Sequence, residues 1–326
     1  MRKSEILFLY ETSYNIPNGD PFTGEQRYDE ETKKILVSDV RIKRFVRTYL
    51  EDIKGLPIYV SDKTGAGRSD AKGVLDWIAK NRNPKNRTDI GDLLKDQIDV
   101  RMFGGVSTLK ELKVGSGKDA VTYSNPHVNL TGAVQFKNLN PSLNKVNLRI
   151  HQNTSHFTSS DSNKQGAIAT TTIVPYSLMQ IHGWINPTVA EGVTLKDDKG
   201  KGNKVGGTGL TDEDLNLLYE ALWYGTSGEG SSFSRSKIGQ DSILLVVVEY
   251  VDEKSKVYGL DRLITITPKD NKKEEQIRSW DDYTLNLDKL HNLADNPKVA
   301  EIKYYTEVDE IDKKFQGKSK FVKLSL

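Results

Sequence analysis

The spacing of hydrophobic positions changes character several times within the first sixty residues. From Ser4 to Thr12 (SEILFLYET) apolar residues dominate a short run with the length and composition of a buried strand. The run closes in NIPNGDP, Asn15 to Pro21, whose two prolines and Asn-Gly pair dictate a turn. Lys34 to Val37 predicts a returning strand. Ile42, Phe45, Val46, Tyr49, Leu50 and Ile53 then recur at helical spacing and predict one buried stripe. Ser38 stands at the N-cap, with Asp39 in the first turn, where a carboxylate meets the positive end of the helix dipole. Gly55 and Pro57 end this helix, and Leu56 to Asp62 (LPIYVSD) reads as the next strand. Strand, helix, strand opens an α/β or ferredoxin-like unit.

Beyond Lys63 the pattern loosens. GVLDWIAKN and IGDLLKDQI predict two short helical segments, separated by a polar stretch carrying Arg82, Lys85 and Arg87. Residues 63–100 therefore read as an insertion. RMFGGV, Arg101 to Val106, brings the chain back through a glycine pair, and VNLTGAVQF, Val128 to Phe136, predicts a strand. Asn153 to Thr172 is rich in Ser, Thr and Asn and cannot build a core, yet strand-like pieces flank it (Val146 to His151, Ile173 to Ile185). A projecting hairpin fits. Thr188 to Gly209 reads as a second polar, mobile stretch. Thr211 and Asp214 form a capping box for a helix with Leu215, Leu218 and Leu222 along one face. Asp241 to Val251 (DSILLVVVEYV) is the most β-prone segment and predicts a central strand. Residues 252–326 are charged and mixed, with a helical piece near Asp288 to Leu293.

Composition narrows the chemistry. The chain has 326 residues, 36% hydrophobic and 28% charged, which suits a globular protein. No run is long enough to span a bilayer and the start lacks a signal-peptide core, so a cytoplasmic protein without a membrane partner is expected. Zero cysteines exclude disulfides, thiolate metal sites and cysteine nucleophiles, and five histidines argue against zinc. His151 and His156, five apart in an extended segment, do not share a metal-binding face. The glycine stretches at Gly65 to Gly67 and Gly200 to Gly209 lack the Gly-Lys-Ser/Thr ending of a phosphate loop. Asp20 sits in a turn where aspartate ordinarily hydrogen-bonds its own backbone. No cofactor, metal or catalytic residue is expected.

With a net charge of only +2, any nucleic-acid surface must be a local patch. Two patches qualify. Arg41, Lys43, Arg44 and Arg47 fall on the arc of the first helix left over by its apolar stripe; most such faces are merely solvated, so alone this is weak. Ser234, Arg235, Ser236 and Lys237 follow a glycine-rich loop, where side chains and backbone N–H groups together can meet phosphate oxygens.

In this order, NIPNGDP, SDVRIKRFVRTYL, RMFGGV, a late helix ending ALW, and SRSKIGQDSILLVVVEY resemble the backbone subunit of type I CRISPR interference (Cascade) complexes, a branch of the RAMP superfamily. The pattern is most like subtype I-B and covers roughly residues 1–250. The resemblance implies an α+β fold with an RRM-like (ferredoxin-like) core, an inserted helical finger region and a projecting thumb hairpin. The palm would comprise 1–62, 101–150 and 173–251, the finger 63–100 and the thumb 150–175; residues 252–326, which the resemblance does not reach, are expected to form a C-terminal extension packed on the palm. It further implies a non-catalytic subunit that polymerises helically along a guide RNA (crRNA), the thumb folding over the guide, and presents it to target DNA. Capping and large Cascade subunits would be further partners. Guide contacts carry over onto Ser38, Lys43 and Arg47, with Arg41 and Arg44 as neighbours and Ser234, Arg235 and Lys237 also facing RNA. Arg82, Lys85 and Arg87 would approach the target strand or an adjacent copy. The alternative is a type III-like subunit that cuts RNA with an aspartate after the first strand, here Asp20. The predicted strands lack the exposed aromatics with which an RRM stacks bases, which suits a protein that holds any guide sequence by its backbone.

Overall fold

The central strands are β1 (Ser4–Asn15), β2 (Val134–Phe136), β3 (Ala167–Ile185) and β4 (Gln240–Tyr250), arranged in the order β2-β3-β1-β4 with every neighbouring pair antiparallel. In the computed structural model the described residues are 1–61, 63, 71–81, 89–108, 111–114, 117–123, 127–155, 167–196, 200–227 and 238–326. β1 pairs with β3 from Ser4↔Ile185 to Asn15↔Val174 and with β4 from Ser4↔Glu249 to Thr12↔Gln240. Its continuous apolar sequence thus has partners on both edges. β5 (Val299–Tyr305) extends the sheet beyond β4, and β6 (Phe321–Lys323) adds in parallel at the edge. The architecture is mixed α+β.

Helix α1 (Asp39–Asp52) follows β1, and α2 (Asp212–Ser227) follows β3. Ser38 caps α1 and Ile42, Phe45, Val46, Tyr49 and Leu50 are buried, as the spacing predicts. Ile53 is not part of the stripe: the helix ends before it, and it is exposed at the C-cap. The Thr211–Asp214 box is formed, Asp214 N–H donating to Thr211 Oγ1 at 3.2 Å and Thr211 N–H to Asp214 Oδ2 at 3.1 Å. The two helices touch at Gly225, where a Cβ would stand 2.8 Å from the Phe45 carbonyl oxygen, so any side chain there would push them apart. Between helices and sheet lies a core that includes Ile6, Phe8, Tyr10, Phe45, Leu222 and Val247.

The opposite face of the same strands is also buried. Leu7, Leu9, Leu178, Leu244, Val246 and Val248 pack against Leu260, Ile277, Tyr283, Leu290, Ile311 and Phe315. Residues after 251, charged and mixed in sequence, thus supply a second layer over the strands β3, β1 and β4. Each large apolar side chain buried this way contributes about 1.5–3 kcal/mol. A third cluster, including Leu75, Ile78, Leu93, Leu94, Val100 and Tyr123, gathers the helices Ala71–Asn81 and Ile90–Lys95 around their own core.

Three expectations need correction. Leu56 to Asp62 forms no strand over its described part: the N–H groups of Tyr59 and Val60 donate to the Asp99 carboxylate at 2.8 and 3.2 Å instead of to a neighbouring strand. The predicted strand Val128 to Phe136 is split. Its first part (His127–Thr131) pairs with Gly104–Thr108 and its second joins the main sheet as β2. Gly132 sits at the break, so close to Phe103 that a Cβ would lie 2.1 Å from its carbonyl carbon. The stretch Thr188 to Gly209 holds most of a short helix (Pro187–Glu191) and a hairpin of Val193–Lys196 with Gly202–Val205. The Ser/Thr/Asn-rich segment has paired arms, Arg149↔Ile173 to Ser155↔Ala167, and its turn lies outside the described residues.

Candidate nucleic-acid interface

The N-terminus of α1 is tied to the turn that follows β1. Ser38 Oγ accepts from Arg41 N–H at 3.4 Å, and Ser38 N–H donates to Oδ1 of buried Asn18 at 2.7 Å. Arg41 Nε donates to the Pro17 carbonyl at 3.0 Å, while its guanidinium lies 4.5 Å from the centre of the Phe45 ring. Burial holds Arg41 below the usual arginine pKa. The turn is itself braced: Asn18 N–H meets Gln26 Oε1 at 2.9 Å, and Asp20 N–H meets the Glu25 carbonyl at 2.7 Å. The Asp20 carboxylate accepts from Phe22 N–H at 2.9 Å and pairs with Arg27 at 3.0 Å. Asp20 thus does what a turn aspartate ordinarily does, with both oxygens engaged.

On the other flank of α1, Lys43 pairs with Asp39 at 3.0 Å and Arg47 Nε with Asp99 Oδ2 at 2.9 Å. Both cations lie over the Phe103 ring, at 5.7 and 5.3 Å. Asp99 is 0% exposed, and Arg47 supplies the opposite charge that a buried carboxylate requires. Arg44 is exposed. The basic arc expected from the helical spacing is therefore not uniform. Arg44 faces outward and Lys43 pairs within its own helix with Asp39, whereas Arg41 and Arg47 turn their heads to Pro17 and Asp99 from other segments.

Over its central strands the sheet is covered on both faces. Under the layer formed after residue 251, Glu5 accepts from Tyr250 OH at 2.5 Å and is 2.7 Å from His182 Nε2. Glu11 accepts from Tyr176 OH at 2.6 Å, and burial raises its carboxyl above the ordinary range. Among the described residues no group of three or more His, Asp or Glu side chains is placed to hold a metal ion. No helix among them is long and apolar enough to cross a membrane.

The sequence model for CRISPR-associated protein Cas7 matches residues 2–288. The chain belongs to the Cas7 family. A CRISPR-associated protein Cas7 from Haloferax volcanii is 28% identical over 301 residues, covering 89% of this chain and 82% of that protein. Two solved chains share the fold seen here. One comes from a structure described as a CRISPR RNA-guided surveillance complex, pre-nicking (TM-score 0.53, 12% identity, 99% of this chain and 96% of that one). The other is from a CRISPR RNA-guided surveillance complex (TM-score 0.52, 14% identity, 98% and 94%). The family match runs past residue 251 into the layer covering the sheet, further than the motifs alone reached.

Within this Cas7-family chain, the site residues expected from sequence divide sharply. Ser38, Arg41, Lys43, Arg44 and Arg47 gather around the first turns of α1. Arg82, Lys85, Arg87, Ser234, Arg235 and Lys237 lie outside the described residues, as does His156. The loop ahead of β4 re-enters beside the end of β1, where Asn15 Nδ2 donates to the Ile238 carbonyl at 2.7 Å. Sequence reasoning missed Asn18, which links turn and helix, and Asp99, which claims Arg47. Asp99 left one signal: an acid among the apolar residues Ile98, Val100, Met102 and Phe103 of one short helix needs a cation nearby.

Proposed function

We propose that this Cas7-family chain is a non-catalytic crRNA-binding backbone subunit that stacks in copies along the guide and presents it for pairing with target DNA. The observation that carries this reading is the closed sheet. An RRM binds single strands on the open face of its sheet, and here that face is covered by Leu260, Tyr283, Leu290, Phe315 and their neighbours. RNA must then be held from the side, through its backbone, and the basic first turns of α1 are suited to that. The two solved chains of similar fold come from structures described as CRISPR RNA-guided surveillance complexes, which supports the same reading. In this account the β2-β3-β1-β4 unit with α1 and α2 is the RRM-like palm, 63–100 the finger, 150–175 the thumb and 252–326 an extension packed on the palm. A type I assembly of the I-B kind, working in the cytoplasm with capping and large subunits, completes it.

The geometry refines the roles. Arg44, Lys43 and the Ser38 hydroxyl meet phosphate oxygens, whereas Arg41 and Arg47 brace the helix against the turn and against Asp99. Arg82, Lys85 and Arg87 serve the target strand or a neighbouring copy, and Ser234, Arg235 and Lys237 the guide. The test is RNA affinity across a salt series. Lys43→Glu with Arg44→Glu should weaken binding at least tenfold and flatten the salt slope by about 1.4, the share of two single-strand phosphate contacts. A folded double variant with unchanged affinity and slope would remove α1 from the interface. Metal-dependent cleavage of complementary RNA, lost in Asp20→Ala, would replace the non-catalytic reading by the RNA-cutting one.

A further inference from the structure

Phe22 is 96% exposed, more than any other large hydrophobic side chain among the described residues. A lone exposed aromatic on a surface loop needs no explanation. This one differs in its support. Its N–H is held by the Asp20 carboxylate at 2.9 Å, and that carboxylate by Arg27 at 3.0 Å. The strand-like contact Gly19↔Gln26 closes the turn behind it. Through Asn18 to Ser38 and Pro17 to Arg41 the same turn is bonded to the first residues of α1. A bare ring is thus presented on a turn bonded to the start of the basic helix, on backbone that has little freedom to fold it away.

The surroundings say what fits. Pro21, Thr23, Gly24 and Glu25 are exposed as well, so the ring stands on a narrow tip. A specific protein interface takes about 800 Å² from each partner, more than such a tip provides, whereas one nucleobase is matched by a single ring. Aromatic side chains next to cations are how single strands are held without sequence preference, because every base has a π-face. Arg27 offsets the Asp20 charge, which would otherwise repel phosphates. We propose that Phe22 stacks on one unpaired nucleobase of the nucleic acid bound along α1. The inference rests on the RNA-binding reading above and adds a base contact to a site otherwise made of backbone contacts.

The experiment uses the full chain and a mixed-sequence oligoribonucleotide of about 40 nucleotides, alone and with complementary DNA added, a length sufficient for several single-strand sites. Phe22→Ala should bind about tenfold more weakly, as expected for one lost stack, with the salt slope unchanged because the ring releases no counterions. Phe22→Trp should restore affinity and show indole quenching, beyond that of the unaltered chain, when RNA is added. A defect seen with RNA alone assigns the base to the guide; one seen only after DNA is added assigns it to the target strand. Wild-type affinity for Phe22→Ala in both settings overturns the proposal. So does a defect that appears instead as lost self-association without RNA, which would make Phe22 a contact between copies. If the unaltered chain binds no RNA, the functional reading fails first and this inference with it.

Discussion

The two faces of the central sheet are buried by different means. The helix face is lined by Ile6, Phe8, Tyr10 and Val247 and meets two capped, amphipathic helices. The other face mixes Leu7, Leu9 and Val248 with Glu5, Glu11 and His182, and is covered by a segment of short helices and turns. Its acids are accommodated because tyrosine hydroxyls from β3 and β4 donate to them, Tyr176 to Glu11 and Tyr250 to Glu5. Polar alternation on a strand is therefore no proof of a wet face. Here it marks a face covered by further chain, where Glu5 and Glu11 each take a tyrosine hydroxyl.

The contrast can be broken most severely by deleting residues 252–326. That exposes Leu244, Val246 and Val248 along the sheet, and the expected result is aggregated or unfolded protein by size-exclusion chromatography and dye binding. A soluble, folded fragment would mean the layer detaches and the sheet is available after all. Next in size, Phe45→Ala on the helix face should cost about 3–5 kcal/mol and Leu290→Ala on the covered face about 2–5 kcal/mol in denaturant unfolding. A much smaller loss for Leu290→Ala would show the second layer to be only loosely attached. Smaller again, Arg47→Ala should cost about 3 kcal/mol because it strands buried Asp99, against about 0.5 kcal/mol for Lys43→Ala, whose partner lies one helical turn away. Equal costs would refute the division of α1 into bracing and contacting cations.

The smallest effect is one of pH. His291 lies in the covering layer against the rings of Phe315 and Phe321, with Lys318, Asp288 and Lys314 as its charged neighbours. Burial, with help from Lys318, lowers its pKa below 6.5. The unfolded chain then binds the proton more readily, so stability should rise with pH between the lowered value and 6.5 and level off above. Thermal unfolding of His291→Phe should lose this part of the pH dependence, and an unchanged profile would assign it elsewhere.

How far the sequence could be read followed the range of the interactions involved. β1, β4, α1 and α2 were legible because strand runs, helical spacing and caps are local. LPIYVSD was misread because the bonds of Tyr59 and Val60 go to a carboxylate some forty residues away. Val128 to Phe136 was misread because the break at Gly132 answers to the backbone of Phe103 rather than to its own neighbours. The basic arc of α1 was found, yet the partners of its cations were not: Pro17 and Asp99 reach it from other segments.

The sequence alone determined β1, β4, α1 and α2, where α1 begins, and that cations crowd its first turns, since these rest on contacts within a few residues. Its ordered motifs also carried the family. Only the tertiary structure decided that residues after 251 close the sheet, that Arg41 and Arg47 turn inward while Arg44 stays outside, and that Phe22 stands bare on a braced turn. These depend on groups far apart in the chain, whose pairing is set by burial and charge in the folded state and leaves no period in the sequence.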